Sequence, residues 1–430
     1  MSETTYPEYL LKSGWNALLP ARVPNAPLKG DQSADVLVIG AGFTGLAFAR
    51  RWYELASQDR IIVIDSSEIG EGNPGRNSGF LLEVALAEDA DPANTGRMAE
   101  CNRLTQIAMQ SIADDVAACG EPVDCVRAGT YRAAAGDVGL RALNNYRQFL
   151  EAAGLPYRAL QQQDLKTELG SEFYQAGLYS PDCYLVQPAA VIRAIAARVP
   201  ADITLYENTP ALKLQKETDG WRVTTPEGVI RAPKVILANN SFASNLGVAR
   251  SRVTPVYTYA GLTPVLDDST LEEMGDVQNW GILPCHRLGS TLRRTADGRL
   301  LIRSLHDYGR EGNGEEIRMA LQDRLWRRFP QVTGTDFEHV WGGAVGVTYN
   351  GAPVWGEWQK GLFVSAGCNG GGTVKGTLLG RLLAEMAAGQ EVPDVSALFG
   401  KASWMPPEPF RAIGFHLQSG LESWQGQQEL

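Results

Sequence analysis

The chain has 430 residues, of which 44% are hydrophobic, 8% aromatic and 20% charged, as in folded globular proteins. This composition excludes a disordered, collagen-like or coiled-coil protein. The 49 acidic residues outnumber the 39 basic ones, and the formal net charge of −10 disfavours binding to nucleic acid or anionic lipid. The length predicts two or three folding units. The 46 glycines exceed the average share of about 7%, which indicates tight turns or close backbone contacts with a ligand.

Cysteine, histidine and hydropathy patterns narrow the class of protein further. The six cysteines form no Cys-x-x-Cys pair, which indicates reduced thiols, and the four histidines lack the spacing of metal ligands. No apolar segment is long enough to span a membrane, and the first twenty residues lack the apolar core of a signal peptide. We therefore expect a cytoplasmic protein with no membrane span, no metal and no nucleic-acid partner.

The first clear elements are a strand, a glycine turn and a helix. The apolar run 35–39 is followed by Gly40, Gly42 and Gly45 in a G-x-G-x-x-G pattern, and helical periodicity continues to about residue 53. In such a turn the glycines allow a pyrophosphate to approach the backbone, and the helix N-terminus supplies amide donors. A glycine turn without a ligand is the alternative interpretation.

An acidic residue after the next strand strengthens the ligand-binding interpretation. The strand 61–64 ends at Asp65, 20 residues beyond Gly45. At this distance a carboxylate reaches the ribose hydroxyls of a dinucleotide and disfavours a 2′-phosphate. The combined pattern therefore favours a dinucleotide site over a chance turn.

The sequence beyond Asp65 favours FAD over a nicotinamide cofactor. A glycine-rich loop, 70–80, stands where a further helix would continue a nicotinamide domain, and distant strands at 235–238 and 362–366 complete the sheet. A second glycine turn, 367–372, precedes a helix whose N-terminus would stabilise negative charge on a reduced flavin. We assign the β-rich stretch 252–336 to a substrate domain.

The segments 36–45, 75–79, 238–240 and 341–389, together with Asp65, resemble the D-amino acid oxidase superfamily of FAD-dependent amine oxidoreductases, particularly its gamma-glutamylputrescine oxidoreductase branch. The resemblance implies a mixed α/β fold. It has a discontinuous, Rossmann-like FAD-binding domain of the glutathione-reductase type and a β-sheet-based substrate domain. The expected FAD-binding domain comprises residues 1–92, 184–251 and 338–430, and the expected substrate domain comprises residues 93–183 and 252–337.

The resemblance also implies which residues contact the cofactor. Those expected to bind FAD are Gly40, Gly42, Phe43, Thr44, Gly45, Asp65, Ser66, Arg76, Asn77, Ser78, Gly79, Ala211, Ala238, Asn239, Gly370, Gly371, Gly372 and Thr373. Those expected to line the flavin face are Tyr257, Arg303, His306 and Asn369, and no catalytic residue is assigned. Ser78 stands where related dehydrogenases carry a flavin-tethering histidine, and no tethering cysteine lies near Val345. We therefore expect non-covalent FAD.

One departure from the family pattern concerns the substrate. Family members that oxidise α-amino acids carry an arginine at the position of Val345, within the motif that corresponds here to 341–353. Such an arginine holds the α-carboxylate through paired hydrogen bonds. Its absence argues against simple α-amino acids unless Arg293 or Arg303 reaches the site from the other domain.

Three functions follow, in decreasing order of support. The first is an FAD-dependent oxidoreductase that oxidises a C–N bond of an amine or amino-acid derivative by hydride transfer to flavin N5, with hydrolysis of the imine. The second is a flavin-binding protein whose cofactor is structural or sensory, and the third is an NAD-dependent dehydrogenase. A small-molecule amine is the expected partner, and the sequence leaves oxygen or a quinone open as the electron acceptor.

Overall fold

The computed structural model describes residues 4–82 and 95–430, so the expected domain boundary between residues 92 and 93 lies outside the described residues. The helices are α1 (Gly14–Ala17), α2 (Phe43–Leu55), α3 (Thr95–Ala117), α4 (Asp137–Ala152), α5 (Gln162–Leu169), α6 (Pro188–Ala197), α7 (Asp268–Glu272), α8 (Gly314–Arg328), α9 (Val374–Ala387), α10 (Val395–Phe399) and α11 (Phe410–Gln425). The strands are β1 (Gln32–Ser33), β2 (Val36–Ile39), β3 (Ile61–Ile64), β4 (Phe80–Leu81), β5 (Cys125–Val126), β6 (Thr130–Ala134), β7 (Arg158–Gln161), β8 (Ala176–Ser180), β9 (Tyr184–Val186), β10 (Thr204–Tyr206), β11 (Lys213–Glu217), β12 (Gly220–Thr225), β13 (Gly228–Ala232), β14 (Lys234–Leu237), β15 (Thr254–Leu262), β16 (Trp280–Pro284), β17 (Thr291–Arg294), β18 (Leu300–Tyr308), β19 (His339–Val347), β20 (Val354–Gln359) and β21 (Leu362–Ala366). No helix of these described ranges is long and apolar enough to cross a lipid bilayer.

A parallel sheet organises one half of the molecule. Its strand order is β10-β3-β2-β14-β21-β20, and all neighbours are parallel except β20 and β21. Every residue of β2 and β3 is buried, as expected for strands covered on both faces. Helices α2, α3, α6 and α9 cover one face, and the sheet β1-β13-β12-β11 covers the other. The carboxyl ends of the parallel strands therefore meet at one edge between two apolar layers.

A larger, mostly antiparallel sheet organises the other half. Its order is β19-β15-β18-β17-β16-β6-β8-β7, in which only β6 and β16 run parallel. Helix α8 packs on one face through Ile317, Leu321 and Leu325. A small sheet, β4-β9-β5, links segments of both halves.

The packing differs at two points from the domain ranges expected from the sequence. Strand β19 falls in the range 338–430 assigned to the FAD-binding domain, yet it pairs with β15 over nine residues of the large sheet. Helix α3 falls in the range 93–183 assigned to the substrate domain, yet Leu104, Ala108 and Ile112 pack in the core beside α2 and α9. In both cases strand pairing and apolar burial, which act between distant segments, decide the position of the element.

Two glycines allow α2 to pack closely on the turn after β2 and α9 to pack closely on α2. A Cβ atom added to Gly45 in α2 would overlap the carbonyl oxygen of Gly40, and one added to Gly380 in α9 would overlap the carbonyl oxygen of Thr44. The neighbouring atoms belong to the backbone and cannot rotate away. These contacts bring the N-termini of α2 and α9 to the same edge of the parallel sheet.

We predict that Gly45→Ala lowers the free energy of unfolding by roughly 2–3 kcal/mol, because the added methyl group must displace backbone. Chemical denaturation of the variant measures this change. Gly314→Ala in α8 is the matched control, since its added Cβ meets no atom within 4 Å. Equal stability of the two variants would contradict the packing role of Gly45.

Candidate cofactor and substrate site

A cavity of about 320 Å³ lies between the two large sheets at the carboxyl edge of the parallel sheet. The last residues of β2, β3 and β21 line it, as do the N-termini of α2 and α9. Thr258, Leu283, Thr291 and Arg303 of the large antiparallel sheet line its other side. The carboxyl edge of a parallel sheet is where open α/β folds bind their ligands.

The N-terminus of α2 offers a site for an anion. Gly40 has a φ of 106°, and no side chain of the described residues caps the helix at Gly42. Gly42, Phe43 and Thr44 line the cavity. Uncapped amide groups and the positive end of the helix dipole suit a phosphate or pyrophosphate at this point.

Asp65 lies beside this turn at the end of β3. Its carboxylate accepts hydrogen bonds from the backbone N–H of Ala41 at 2.8 Å and of Ser67 at 3.0 Å. Burial raises the pKa of Asp65, and these backbone hydrogen bonds counteract the effect by favouring the ionised form. The carboxylate therefore stands at the cavity wall as an acceptor for ligand hydroxyl groups.

The second glycine turn is held by Asn369, whose side chain was expected to face the flavin. Its Nδ2 donates to the carbonyl oxygens of Gly367 at 2.8 Å and Gly351 at 2.9 Å, and its Oδ1 accepts from the Thr348 N–H at 2.9 Å. The Asn369 side chain thus stabilises the turn and does not line the cavity. No described side chain caps α9 at Thr373, so this helix N-terminus also opens on the cavity.

One polar atom in the cavity wall lacks a hydrogen-bond partner among the described residues. This atom is the side-chain oxygen of Asn239, which is buried. The neighbouring Asn240 has its side chain engaged, because its oxygen accepts from the Gly367 N–H at 3.0 Å and its nitrogen donates to Cys368 Sγ at 3.2 Å. A buried, unpaired acceptor at the wall of a long cavity fits a cofactor with hydrogen-bond donors, as FAD has.

The loop 72–78 forms a rigid wall. The Arg76 side chain donates from Nε to the carbonyl oxygen of Glu71 at 2.6 Å and from Nη1 to that of Gly342 at 2.8 Å. Its guanidinium lies 3.7 Å from the ring centre of Tyr9, and burial lowers its pKa. The charged end of Arg76 is therefore engaged by the protein.

Arg303 in β18 is a cation on the side of the cavity formed by the large antiparallel sheet. Its Nε donates to Thr258 Oγ1 at 3.1 Å, and burial lowers its pKa. No carboxylate of the described chain forms an ion pair with it. Arg293, the other arginine considered from the sequence, is fully buried away from the cavity, where it donates to Asp124 Oδ2 at 2.9 Å.

Most residues expected at the site line one cavity. Those that do are Gly40, Gly42, Phe43, Thr44, Asp65, Ser66, Arg76, Asn77, Ser78, Ala211, Ala238, Asn239, Arg303, Gly370, Gly371, Gly372 and Thr373. Gly45 packs against the backbone of Gly40, and Gly79 is covered by the carbonyl oxygen of Val186.

Besides Asn369, two further residues expected at the flavin face lie elsewhere. Tyr257 packs edge-on against Tyr9, with ring centres 6.4 Å apart, while its neighbour Thr258 faces the cavity. His306 packs against Phe415 in α11, with ring centres 5.6 Å apart, and lines a separate cavity. Alternation along a strand sends adjacent side chains to opposite faces of a sheet.

The N-terminal segment contributes a wall that sequence reasoning missed. Thr5, Tyr6 and Pro7 line the cavity, and Thr5 Oγ1 donates to the carbonyl oxygen of Ala211 at 2.6 Å. The segment is irregular, so neither helical nor strand periodicity marked it. Pro7 and the two tyrosines, Tyr6 and Tyr9, of the first ten positions were the only available signal.

A parallel sheet with two helix N-termini at one long cavity defines a dinucleotide-binding oxidoreductase. Residues 35–386 match the family described as FAD dependent oxidoreductase (DAO), and the chain belongs to this family. The chain is therefore an FAD-dependent oxidoreductase, and the family resemblance and the fold class predicted from its sequence are confirmed. Membership favours FAD over NAD and an enzyme over a protein with a sensory flavin.

Similar proteins cover most of the chain. Probable oxidoreductase OrdL of Rhizobium meliloti (strain 1021) is 26% identical over 388 residues, which are 88% of each protein. Gamma-glutamylputrescine oxidoreductase of Escherichia coli (strain K12) is 26% identical over 370 residues, which are 83% of this chain and 84% of that protein. The crystal structure of glycine oxidase from Geobacillus kaustophilus aligns with a TM-score of 0.74 at 20% identity, over 87% of this chain and 100% of that chain.

Proposed function

We propose that this enzyme binds FAD without a covalent bond in the cavity at the carboxyl edge of the parallel sheet. The N-terminus of α2 would hold the pyrophosphate, and Asp65 and Ala211 the adenosine. The loop 76–78 and the turn 370–373 would hold the flavin. The uncapped helix ends and the unpaired Asn239 oxygen support this assignment.

We further propose that the substrate is an amine or amino-acid derivative whose C–N bond is oxidised. When bound, FAD supplies the acceptor for a hydride from the carbon attached to the substrate nitrogen, after which water hydrolyses the imine. The chain itself contributes positioning and electrostatics. Asp65 is the only carboxylate among the described lining residues, and it lies at the nucleotide end. Arg303 at the substrate end disfavours an ammonium ion and so favours the neutral amine.

The proposed substrate class rests on Arg303, which forms no ion pair with the described residues. A partly buried guanidinium without a counter-ion has lost hydration and gained no ion pair, so an incoming carboxylate would stabilise it. Because Nε is engaged with Thr258, the two Nη groups remain for paired hydrogen bonds to such a carboxylate. We therefore propose an amine that also carries a carboxylate. Names of similar proteins, gamma-glutamylputrescine oxidoreductase and glycine oxidase, agree with this class.

Anaerobic bleaching of the visible flavin absorbance tests the proposal. We expect carboxylate-bearing amines, such as gamma-glutamylated amines or D-amino acids, to reduce the flavin. Arg303→Met should lower kcat/KM for them roughly 100-fold or more, since a charge-assisted pair is lost. Polyamines, which lack a carboxylate, should not lose rate in this variant.

Arg324→Met is the matched control, because Arg324 lines the separate cavity beside His306. A comparable loss in both variants would contradict the role of Arg303. Equal use of polyamines and carboxylate-bearing amines by the parent enzyme would contradict the substrate class. Failure of every amine to bleach the flavin would contradict amine oxidation itself.

Acid precipitation tests the non-covalent attachment of FAD. We expect all flavin to remain in the supernatant after the protein is precipitated. Cys368 is the cysteine that lines the cavity in the described part of the chain, so Cys368→Ser is the informative comparison. Flavin retained in the parent pellet but not in the Cys368→Ser pellet would reveal a thioether and contradict the proposal.

We predict that the N-terminal segment slows the release of FAD. Deletion of residues 1–7 removes the wall formed by Thr5, Tyr6 and Pro7 and the hydrogen bond to Ala211. We expect the dissociation rate of FAD, followed by the rise of flavin fluorescence on dilution, to increase about 10-fold, equivalent to roughly 1.4 kcal/mol. Deletion of residues 1–3 leaves this wall in place and should release FAD at the parent rate. Equal rates for both deletions would contradict the role of the segment.

A further inference from the structure

Helix α11 presents an apolar stripe to solvent. None of its residues is buried. Five large apolar side chains lie on the exposed face: Phe410 is 65% exposed, Ile413 52%, Leu417 71%, Leu421 54% and Trp424 70%. Contiguous apolar surface of this kind marks an interaction site.

The opposite face of α11 attaches the helix to the rest of the molecule. Phe415 contacts His306 and Tyr308 of β18, with ring centres 5.6 and 5.1 Å apart. Glu422 forms an ion pair with Arg287 at 3.6 Å. The helix is therefore oriented by polar and aromatic contacts that leave the stripe facing outward.

The stripe has the spacing of a two-fold interface. Intervals of three, four, four and three residues separate Phe410, Ile413, Leu417, Leu421 and Trp424, so the pattern is symmetric about Leu417. In an antiparallel pair related by a two-fold axis, each residue meets the one equally far from the centre. Leu417 would meet its own copy, Ile413 would meet Leu421, and Phe410 would meet Trp424.

Two glycines are also placed symmetrically about Leu417. Gly414 and Gly420 stand three residues on either side of Leu417, and a Cβ atom added to either would meet no atom within 4 Å. They border the stripe with minimal side-chain bulk. Small residues at such positions let two helices approach closely.

We propose that this stripe binds the α11 helix of a second copy of the chain. For large side chains of about 150–250 Å², the exposed fractions leave roughly 600 Å² per copy. Burying the stripe on both copies would remove about 1,200 Å² from solvent, at the lower bound of stable interfaces. The seven positions of the stripe and its bordering glycines carry no charge, so self-association brings no like charges together.

The charge of the helix favours a second copy over a lipid surface. Interfacial membrane helices are rich in lysine and arginine on their polar face. Here Arg411 is the only lysine or arginine of α11, and the net charge of the chain is −10. Arg411 is moreover engaged with the carbonyl oxygens of Pro406 at 3.0 Å and Arg250 at 2.9 Å.

Sedimentation of the full-length, FAD-loaded enzyme tests the interface. We expect a dimer whose dissociation constant rises at least about 100-fold in Leu417→Asp, because each copy would bury a carboxylate at the centre of the stripe. Met319→Asp is the matched control, since Met319 is 61% exposed on α8. Bound flavin and thermal unfolding report whether each variant remains folded.

Cysteine cross-linking tests the register and does not depend on a destabilising change. Leu417→Cys should form a disulfide-linked dimer on mild oxidation, and Met319→Cys should not. A parent enzyme that stays monomeric, or a dimer that Leu417→Asp leaves intact, would overturn the proposal. So would binding of the parent, but not of Leu417→Asp, to phosphatidylcholine vesicles.

Discussion

The backbone contact between Gly45 and Gly40 determines where α2 can begin. With any side chain at position 45 the helix would move away from β2, and its amide groups would no longer point along the strand end. The same constraint recurs where Gly380 of α9 packs on the backbone of Thr44. Two helix N-termini are thus directed at one cavity by glycines that do not line it. Everything proposed for the cofactor depends on this arrangement.

Local patterns were sufficient to predict this part of the molecule. Each strand, glycine turn and helix around residues 36–55 and 362–387 is continuous in sequence, and its apolar periodicity is a local property. The N-terminal wall was not predictable in this way, because Thr5 reaches Ala211 through tertiary packing of an irregular segment. Nor does the sequence show that β19 pairs with β15, since each residue of β19 pairs with a partner more than seventy residues away along the chain.

Side-chain direction explains why the substrate side was harder to predict. Arg303 pairs with Ala260 across β18 and β15, and Thr258 lies two residues from Ala260 on the same face. His306 follows Arg303 by three residues, so regular alternation alone would place the two side chains on opposite faces. The register shift between Tyr257 and Tyr259, with Leu305 at a φ of 61°, breaks that alternation. Spacing in the sequence therefore does not fix the face of His306, which the structure places at the separate cavity.

Strand β18 connects the two proposals. One face of it carries Arg303 at the cavity, and its end carries His306 and Tyr308 against Phe415 of α11. An arginine on a hydrogen-bonded strand is held more rigidly than one on a loop, which limits the entropy lost when a carboxylate binds. Packing by α11 adds to that rigidity, and a partner that buries the outer stripe of α11 would stabilise the same strand in its folded state. Assembly and substrate recognition would therefore depend on one element, although no residue of the stripe lines the cavity.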